Sequence, residues 1–209
     1  MSYDLSGQVR VAVIYYSATG TVYELAKTAA IAAEKAGAEV RLRKVREMAP
    51  QEVISANRMW TEHVHATRHI AEAGLEDLDW ADAVLLGAPT RYGMPAAQLK
   101  QFIDTTGPLW GQGRLINKIA SSFTATATAH GGQEATILAL NNTFYHWGAI
   151  IVPPGYADPV QFRAGNPYGT SHTSQNGEIP PGDVQLAAME FQARRVVDIA
   201  QAFKRGRIG

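Results

Sequence analysis

The sequence predicts a doubly wound α/β fold, with a parallel sheet covered by helices on both faces. Short β-branched apolar runs alternate along the chain with longer amphipathic stretches. The first of these runs breaks at a glycine-containing loop that leads straight into a helical pattern. The 209 residues are enough to bury one substantial core, so a single domain spanning 1–209 is expected. Right-handed crossovers then distribute the helices over both faces.

Each element follows from its pattern. Val9, Val11, Val13 and Ile14 are β-branched and residues 11–16 are apolar on both faces, as a central parallel strand requires. After Gly20, the residues Val22, Leu25, Ala26, Ala29 and Ala33 trace one stripe of a helix over 21–36, which Gly37 closes. Val40, Leu42 and Val45 alternate with Arg41, Arg43 and Lys44, the mark of a half-exposed strand near a sheet edge. Pro50 opens a short helix, and residues 58–73 are helix-compatible but polar. A third strand over 83–86 ends at Gly87-Ala88-Pro89. A helix over 96–105 follows Pro95, with Leu99, Phe102 and Ile103 on one side.

Residues 119–126 form a fourth strand, rich in Ser and Thr, and residues 133–147 a further helix. A short fifth strand over 149–152 stops at Pro153 and Pro154. The Gly, Pro, Asn and Ser density that follows reads as a long loop over about 153–182. That exceeds the ~12–15 residues usual for a structureless connection, so function or mobility is expected there. Asp183 starts a last helix that runs to about Lys204.

Composition excludes several classes of function. Lys+Arg and Asp+Glu both number 19, so no net field draws nucleic acid or an anionic membrane. Cysteine is absent, which removes disulfides, thiolate nucleophiles and Cys-based metal sites. Residues 1–8 are short and polar, and the apolar run after them falls far short of the ~20 residues needed to span a bilayer. With no basic leader and no cleavage site, a signal peptide is not expected and the cytoplasm is the expected location.

In this fold class ligands bind outside the carboxyl ends of the strands, so the loops after the first, third and fourth strands should meet. The loop Ser17-Ala18-Thr19-Gly20-Thr21-Val22 offers hydroxyls and helix N-terminal amides without a Lys or Arg. It suits either a helix cap or a phosphate cradle. Neither a Walker loop nor a G-x-G-x-x-G motif is present after the first strand. The loop Pro89-Thr90-Arg91-Tyr92-Gly93-Met94-Pro95 is held stiffly by Gly and Pro and offers a ring face at Tyr92, whether as a rigid turn or against a planar ligand. The small residues of 124–132, ending His130-Gly131-Gly132, suit a flat ring. His63, His65 and His69 fall in the polar 58–73 segment; a solvated helix face explains them better than a metal site, because no carboxylate or further ligand is poised with them.

Five motifs in register carry a more specific likeness. They are Tyr15-Tyr16-Ser17 with Gly20; Pro89-Thr90-Arg91-Tyr92-Gly93; Asp104-Thr105-Thr106-Gly107-Pro108-Leu109-Trp110; His130-Gly131-Gly132-Gln133-Glu134; and Pro167-Tyr168-Gly169. Together they resemble the WrbA family of FMN-dependent NAD(P)H:quinone oxidoreductases over nearly the whole chain. The resemblance implies a flavodoxin-like fold with a five-stranded parallel sheet in the order 2-1-3-4-5. It implies FMN phosphate at Ser17, Ala18, Thr19, Gly20, Thr21 and Val22. It implies ring contacts from Pro89, Thr90, Arg91, Tyr92 and Gly93, and from Ala125, Thr126, Ala127, Thr128 and Ala129. His146 matches a family histidine near the flavin ring and is the candidate catalytic group. Trp110 matches an aromatic bordering the quinone and nicotinamide site, reaching it from a neighbouring subunit of a homotetramer.

The activity so implied is a ping-pong, two-electron reduction of quinones, with NAD(P)H as the hydride donor. Thr19 departs from the pattern, since some relatives place there an aromatic that touches the nicotinamide; Ala125 and Ala127 replace hydroxyl or Gly positions. The alternative on the same fold is a flavodoxin-type one-electron carrier to a protein partner. Such carriers are strongly acidic and stack aromatics on the flavin, unlike this neutral chain with its small-residue loops. A receiver-type signalling module is rejected, because Tyr15-Tyr16-Ser17 and Gly87-Ala88-Pro89 stand where its acidic residues are needed.

Overall fold

β1 (Arg10–Tyr15) anchors a parallel sheet between β2 (Glu39–Lys44) and β3 (Ala83–Arg91) in the computed structural model, which describes residues 7–206. β5 (Ile119–Thr126) lies beyond β3, and β6 (Ile150–Ile151) pairs with β5, giving the order β2-β1-β3-β5-β6. A two-residue strand, β4 (Met94–Pro95), turns back antiparallel onto β3. With that short turn set aside, the order is the expected 2-1-3-4-5. Residues 1–6, within the short polar segment over 1–8, lie outside the described residues.

The alternation of side chains along β1 builds two cores at once. Val11, Val13 and Tyr15 face α1 (Thr21–Lys35) and α9 (Asp183–Gly206), whereas Ala12, Ile14 and Tyr16 face the opposite layer. That second layer holds α5 (Ala97–Asp104) and α7 (Gln133–Trp147), through Leu99, Phe102, Leu140 and Phe144. Ala26, Ala29 and Ala33 line the buried stripe of α1, so α9 approaches closely with Val196, Val197 and Ala200. β2 occupies the edge and is only half-buried, as its charge alternation predicts. Among the described residues no helix is long and apolar enough to cross a membrane.

The structure differs from expectation in three places. Gly87-Ala88-Pro89 does not end β3: the strand continues to Arg91, because β5 stays in register with it as far as Pro89↔Ala125. Gly87 is there for room, since a Cβ would stand 2.2 Å from the Phe123 ring. The segment over 153–182 is not a structureless loop. It carries α8 (Pro159–Ala164), β7 (Ser171–Thr173) and a 3-10 turn over Gln175–Gly177. β6 pairs with the first residues of β5 and β7 with its last, Thr124↔Ser171 to Thr126↔Thr173, so the outer strand is split by an insertion.

One buried side chain holds that insertion in place. Gln192 of α9 is fully buried; its Oε1 accepts from the Thr170 amide at 2.7 Å, and its Nε2 donates to Ser121 Oγ at 2.7 Å and the Ser122 carbonyl at 2.9 Å. The polar composition of the segment therefore reflects buried hydrogen bonds as well as exposure, although Gln161 Oε1 and Thr170 Oγ1 are buried without a partner. In the third place, residues 58–73 become α3 (Arg58–Ala66) alone, after a short α2 (Gln51–Ser55), while α4 (Leu75–Trp80) and α6 (Gly107–Gly111) are additions.

Replacing Gly87 with Ala should test the β3–β5 fit. Overpacking against Phe123 is expected to cost about 3 kcal/mol. Urea denaturation should show a lower midpoint at unchanged slope, and a wild-type midpoint would mean that the ring has room to move.

Candidate active site

The carboxyl ends of β1, β3 and β5 meet at a cleft of about 280 Å³. Ser17, Ala18, Thr19, Thr21 and Val22 line it from the first loop, Pro89, Thr90 and Arg91 from the end of β3, and Ala125, Thr126 and Ala127 from the end of β5. The three loops that the sequence singles out are thus brought together. Gly20, Tyr92, Gly93, Thr128 and Ala129 belong to the same loops but are not among the lining residues. Tyr92 projects fully into solvent with φ +54°.

The first loop leaves its helix open. Ser17 Oγ accepts from the Gly20 amide at 3.1 Å, and Gly20 itself is the N-cap, with φ +96° and no side-chain cap on α1. The amides of the first turn of α1 are therefore not claimed by a capping side chain, and they face the cleft with the positive end of the helix dipole. Between the two roles open to this loop, helix cap or anion cradle, the geometry favours the cradle. The lining hydroxyls and uncapped amides fit a phosphate.

The other two loops are bolted to each other. Thr90 Oγ1 donates to the Gly131 carbonyl at 3.2 Å and accepts from the Gly93 amide at 3.1 Å and from Thr136 Oγ1 at 2.8 Å. Gly132, at φ +91°, caps α7 so close to Gly93 that a Cβ would stand 2.8 Å from its Cα. Thr128 turns inward only through its carbonyl, which accepts from Thr126 Oγ1 at 2.8 Å. The insertion adds Ser174 and Asn176 to the cleft wall. Its 3-10 turn rests on the first loop: a Cβ on Gly177 would stand 2.5 Å from Thr19 Oγ1. Thr19 and this turn are therefore closely packed.

Four lining residues were not singled out in the sequence: Asn57, Trp60, Ser174 and Asn176. Asn57 caps α3, its Oδ1 accepting from the Trp60 amide at 3.1 Å. The sequence signal was a lone Trp in a polar helix, three residues after an Asn. Trp60 is fixed by Glu47, whose Oε2 accepts from Trp60 Nε1 at 3.0 Å and from the Tyr16 hydroxyl at 3.0 Å. Gln98 Nε2 and the Met48 and Ala49 amides donate to its Oε1, at 3.0, 2.8 and 2.9 Å. Burial alone would raise the Glu47 carboxyl, but these donors outweigh it and leave the group below its ordinary value. Burial, with the Glu47 charge alongside, pushes the Tyr16 hydroxyl far above its ordinary value, so it stays a donor.

His146 is not brought to the cleft of its own chain. It lies exposed in the last turn of α7, about 20 Å along the helix from the Gly132 end. Its carbonyl accepts from Trp110 Nε1 at 2.8 Å, so Trp110, 58% exposed, stands beside it. α7 carries His146 to the end of the sheet where β6 begins, away from the cleft lining of its own chain. Of the histidines weighed as metal ligands, His63 turns inward, toward Gly20 and the ring of Tyr23.

Comparisons with known proteins agree with this architecture. The family described as NADPH-dependent FMN reductase matches residues 9–161. A protein of Deinococcus radiodurans named NAD(P)H dehydrogenase (quinone) is 45% identical over 196 residues, covering 93% of this chain and 97% of that one. A protein of the same name from Sinorhizobium fredii is 42% identical over 197 residues, covering 91% and 96%. Among solved structures, a flavodoxin described as WrbA-like, from Agrobacterium tumefaciens, superposes with a TM-score of 0.68 over 93% of this chain and 99% of that one. At 22% identity it establishes the flavodoxin-like fold alone.

Glu47→Gln should separate the role of the carboxylate from that of its shape. At neutral pH a loss of about 2 kcal/mol is expected, because the amide half of Gln cannot accept from Tyr16 and Trp60. The folded carboxyl lies below its unfolded value, so its contribution is complete above the unfolded range near pH ~4.3 and fades on further acidification. Urea curves for the two proteins should therefore converge at low pH; a gap constant with pH would contradict the assignment.

Proposed function

The chain belongs to the family of NADPH-dependent FMN reductases, and from that premise we propose that it is an FMN-dependent NAD(P)H:quinone oxidoreductase. The observation that carries the proposal is the uncapped first turn of α1, opening on a cleft that small residues line on its far side. Ser17, Ala18, Thr19, Gly20, Thr21 and Val22 would hold the phosphate by amides and hydroxyls. Pro89, Thr90, Arg91, Tyr92 and Gly93, with Ala125, Thr126, Ala127, Thr128 and Ala129, would hold the ring. FMN, when bound, supplies the hydride chemistry that couples nicotinamide oxidation to quinone reduction.

The chain's own part is positioning. The bolted pair of loops at Thr90 and Gly132 keeps the cleft wall rigid, so donors meet a ligand without reorganisation. Ala125 and Ala127 leave the space above them clear, so that nicotinamide and then quinone would occupy the same place in turn. A one-electron carrier would instead need a docking surface of strong charge, and this chain is neutral.

Trp110 and His146 form an exposed pair remote from their own cleft, a placement suited to service at the cleft of a neighbouring subunit. A homotetramer arranged as a dimer of dimers, working in the cytoplasm, is the assembly we propose. His146 would then act across the subunit boundary beside Trp110.

The purified protein should be yellow, release FMN on denaturation, and oxidise NADH or NADPH with benzoquinone as acceptor. A protein that binds no FMN, or an FMN-loaded protein that oxidises neither nicotinamide, would overturn the reading. Trp110→Ala should raise KM for benzoquinone several-fold at unchanged FMN content. No change in KM would remove Trp110 from the substrate site.

A further inference from the structure

The first loop holds no Lys or Arg, yet α3 brings a titratable ring to it from outside. His63 Nδ1 lies 3.5 Å from the point where a Cβ of Gly20 would stand. Its ring rests against Tyr23 of α1, with centroids 5.5 Å apart at 51°. The helix that carries it is not free to swing. Asn57 caps α3, Trp60 is tied to Glu47, and both residues line the cleft. An anion on the first turn of α1 and the imidazole of His63 would therefore flank the same residue, Gly20.

The groups facing His63 define its resting state. Tyr23 faces it from α1, Lys44 from β2 and Glu47 from the segment after β2. Burial and the Lys44 ammonium push the imidazole down to about 4, against the opposing pull of Glu47. Lys44 cannot turn away without loss, since its Nζ donates to the Thr67 carbonyl at 2.8 Å. On its own helix, the His63 carbonyl accepts from the Thr67 amide at 3.0 Å and hydroxyl at 2.8 Å, which leaves the ring untouched. The ring is neutral at physiological pH, and a negative charge arriving beside it favours the cation. An opposite charge within about 4–6 Å raises such a group by 1–3 pH units.

We infer that His63 is the proton acceptor matched to the cofactor's phosphate, so that an imidazolium joins the first loop when FMN is bound there. The inference rests on the FMN reading above. A phosphate monoester loses its second proton near pH ~6. Below that value FMN binding as the dianion must expel one proton, and the His63 imidazole takes one up through solvent. The two changes offset each other, and binding stays nearly proton-neutral where it would otherwise weaken as pH falls. The sign follows from linkage: a base whose value is raised in the complex favours binding at pH below that raised value.

The test uses the full chain, stripped of flavin and titrated calorimetrically with FMN in two buffers of different ionisation enthalpy. At about pH 5.5, His63→Gln is expected to release roughly 0.2 to 0.9 proton more per FMN bound than the wild type does. Riboflavin, which lacks the phosphate, should show no difference between the two proteins. A measurement that needs no substitution follows the His63 ring by NMR, whose titration midpoint should move up with FMN and stay put with riboflavin. Equal proton release in both proteins, or a ring midpoint unmoved by FMN, overturns the inference. If wild-type protein does not bind FMN at neutral pH, the functional reading itself fails, a result distinct from FMN binding with a silent His63.

Discussion

The open first turn of α1 is the constraint on which the rest of the site depends. Its amides carry partial positive charge and no side chain caps them. Ser17 Oγ accepts from the Gly20 amide, which leaves its own O–H free to donate into the cleft. A turn left in this state costs free energy unless water or a ligand satisfies it. The neighbouring elements respect that condition. Thr19 is small enough for the 3-10 turn to rest on it, Asn57 and Trp60 wall the cleft, and no cation intrudes from the loop itself. The sheet order places β1 between β2 and β3, so this turn lies beside the end of β3 and within one cleft of the end of β5.

Polar side chains tie these loops to the elements around them. Glu47 gathers donors from Tyr16, Trp60, Gln98 and two amides, and so ties the end of β1 to α3 and α5. Thr90 ties the end of β3 to the start of α7, and Gln192 ties the insertion to β5. In each, several partners share one side chain, so losing that side chain strands the others. Such networks fix one geometry where apolar contacts would tolerate several, as suits a site that must meet a planar ligand without adjusting.

The fold was legible where one short-range pattern decided it. The β-branched run of β1, the alanine stripe of α1 and the bounds of β5 and α7 follow from periodicity and glycine punctuation alone. The loops of the cleft were legible because parallel topology forces strand ends together. What stayed hidden depends on partners distant in sequence. Gly87-Ala88-Pro89 reads as a stop, but β5 supplies a ladder and Phe123 fills the space a side chain would take. The insertion reads as a loop because its order comes from Gln192, which the chain reaches only later. α3 reads as solvated because Trp60 and His63 find their partners in Glu47 and Gly20, on other elements. The position of His146 relative to the cleft was hidden for the converse reason: a motif fixes a position along the chain, while the length of α7 decides which end of the sheet receives it.

Charge neutrality and the loop without a cation are two sides of one arrangement. A fixed Lys or Arg beside the phosphate would attract any anion in the absence of cofactor and would need a counterion when empty. The amides and hydroxyls of the first loop avoid that cost, because dipoles bind a charge without being charged. Their field is weaker than that of a cation at the same distance, so a dianion there still profits from a positive partner. A half-buried imidazole held neutral by desolvation and by Lys44 supplies one on demand and asks nothing of the empty site. α3 is thus a wall of the cleft and also the element that lets a neutral loop hold a doubly charged group.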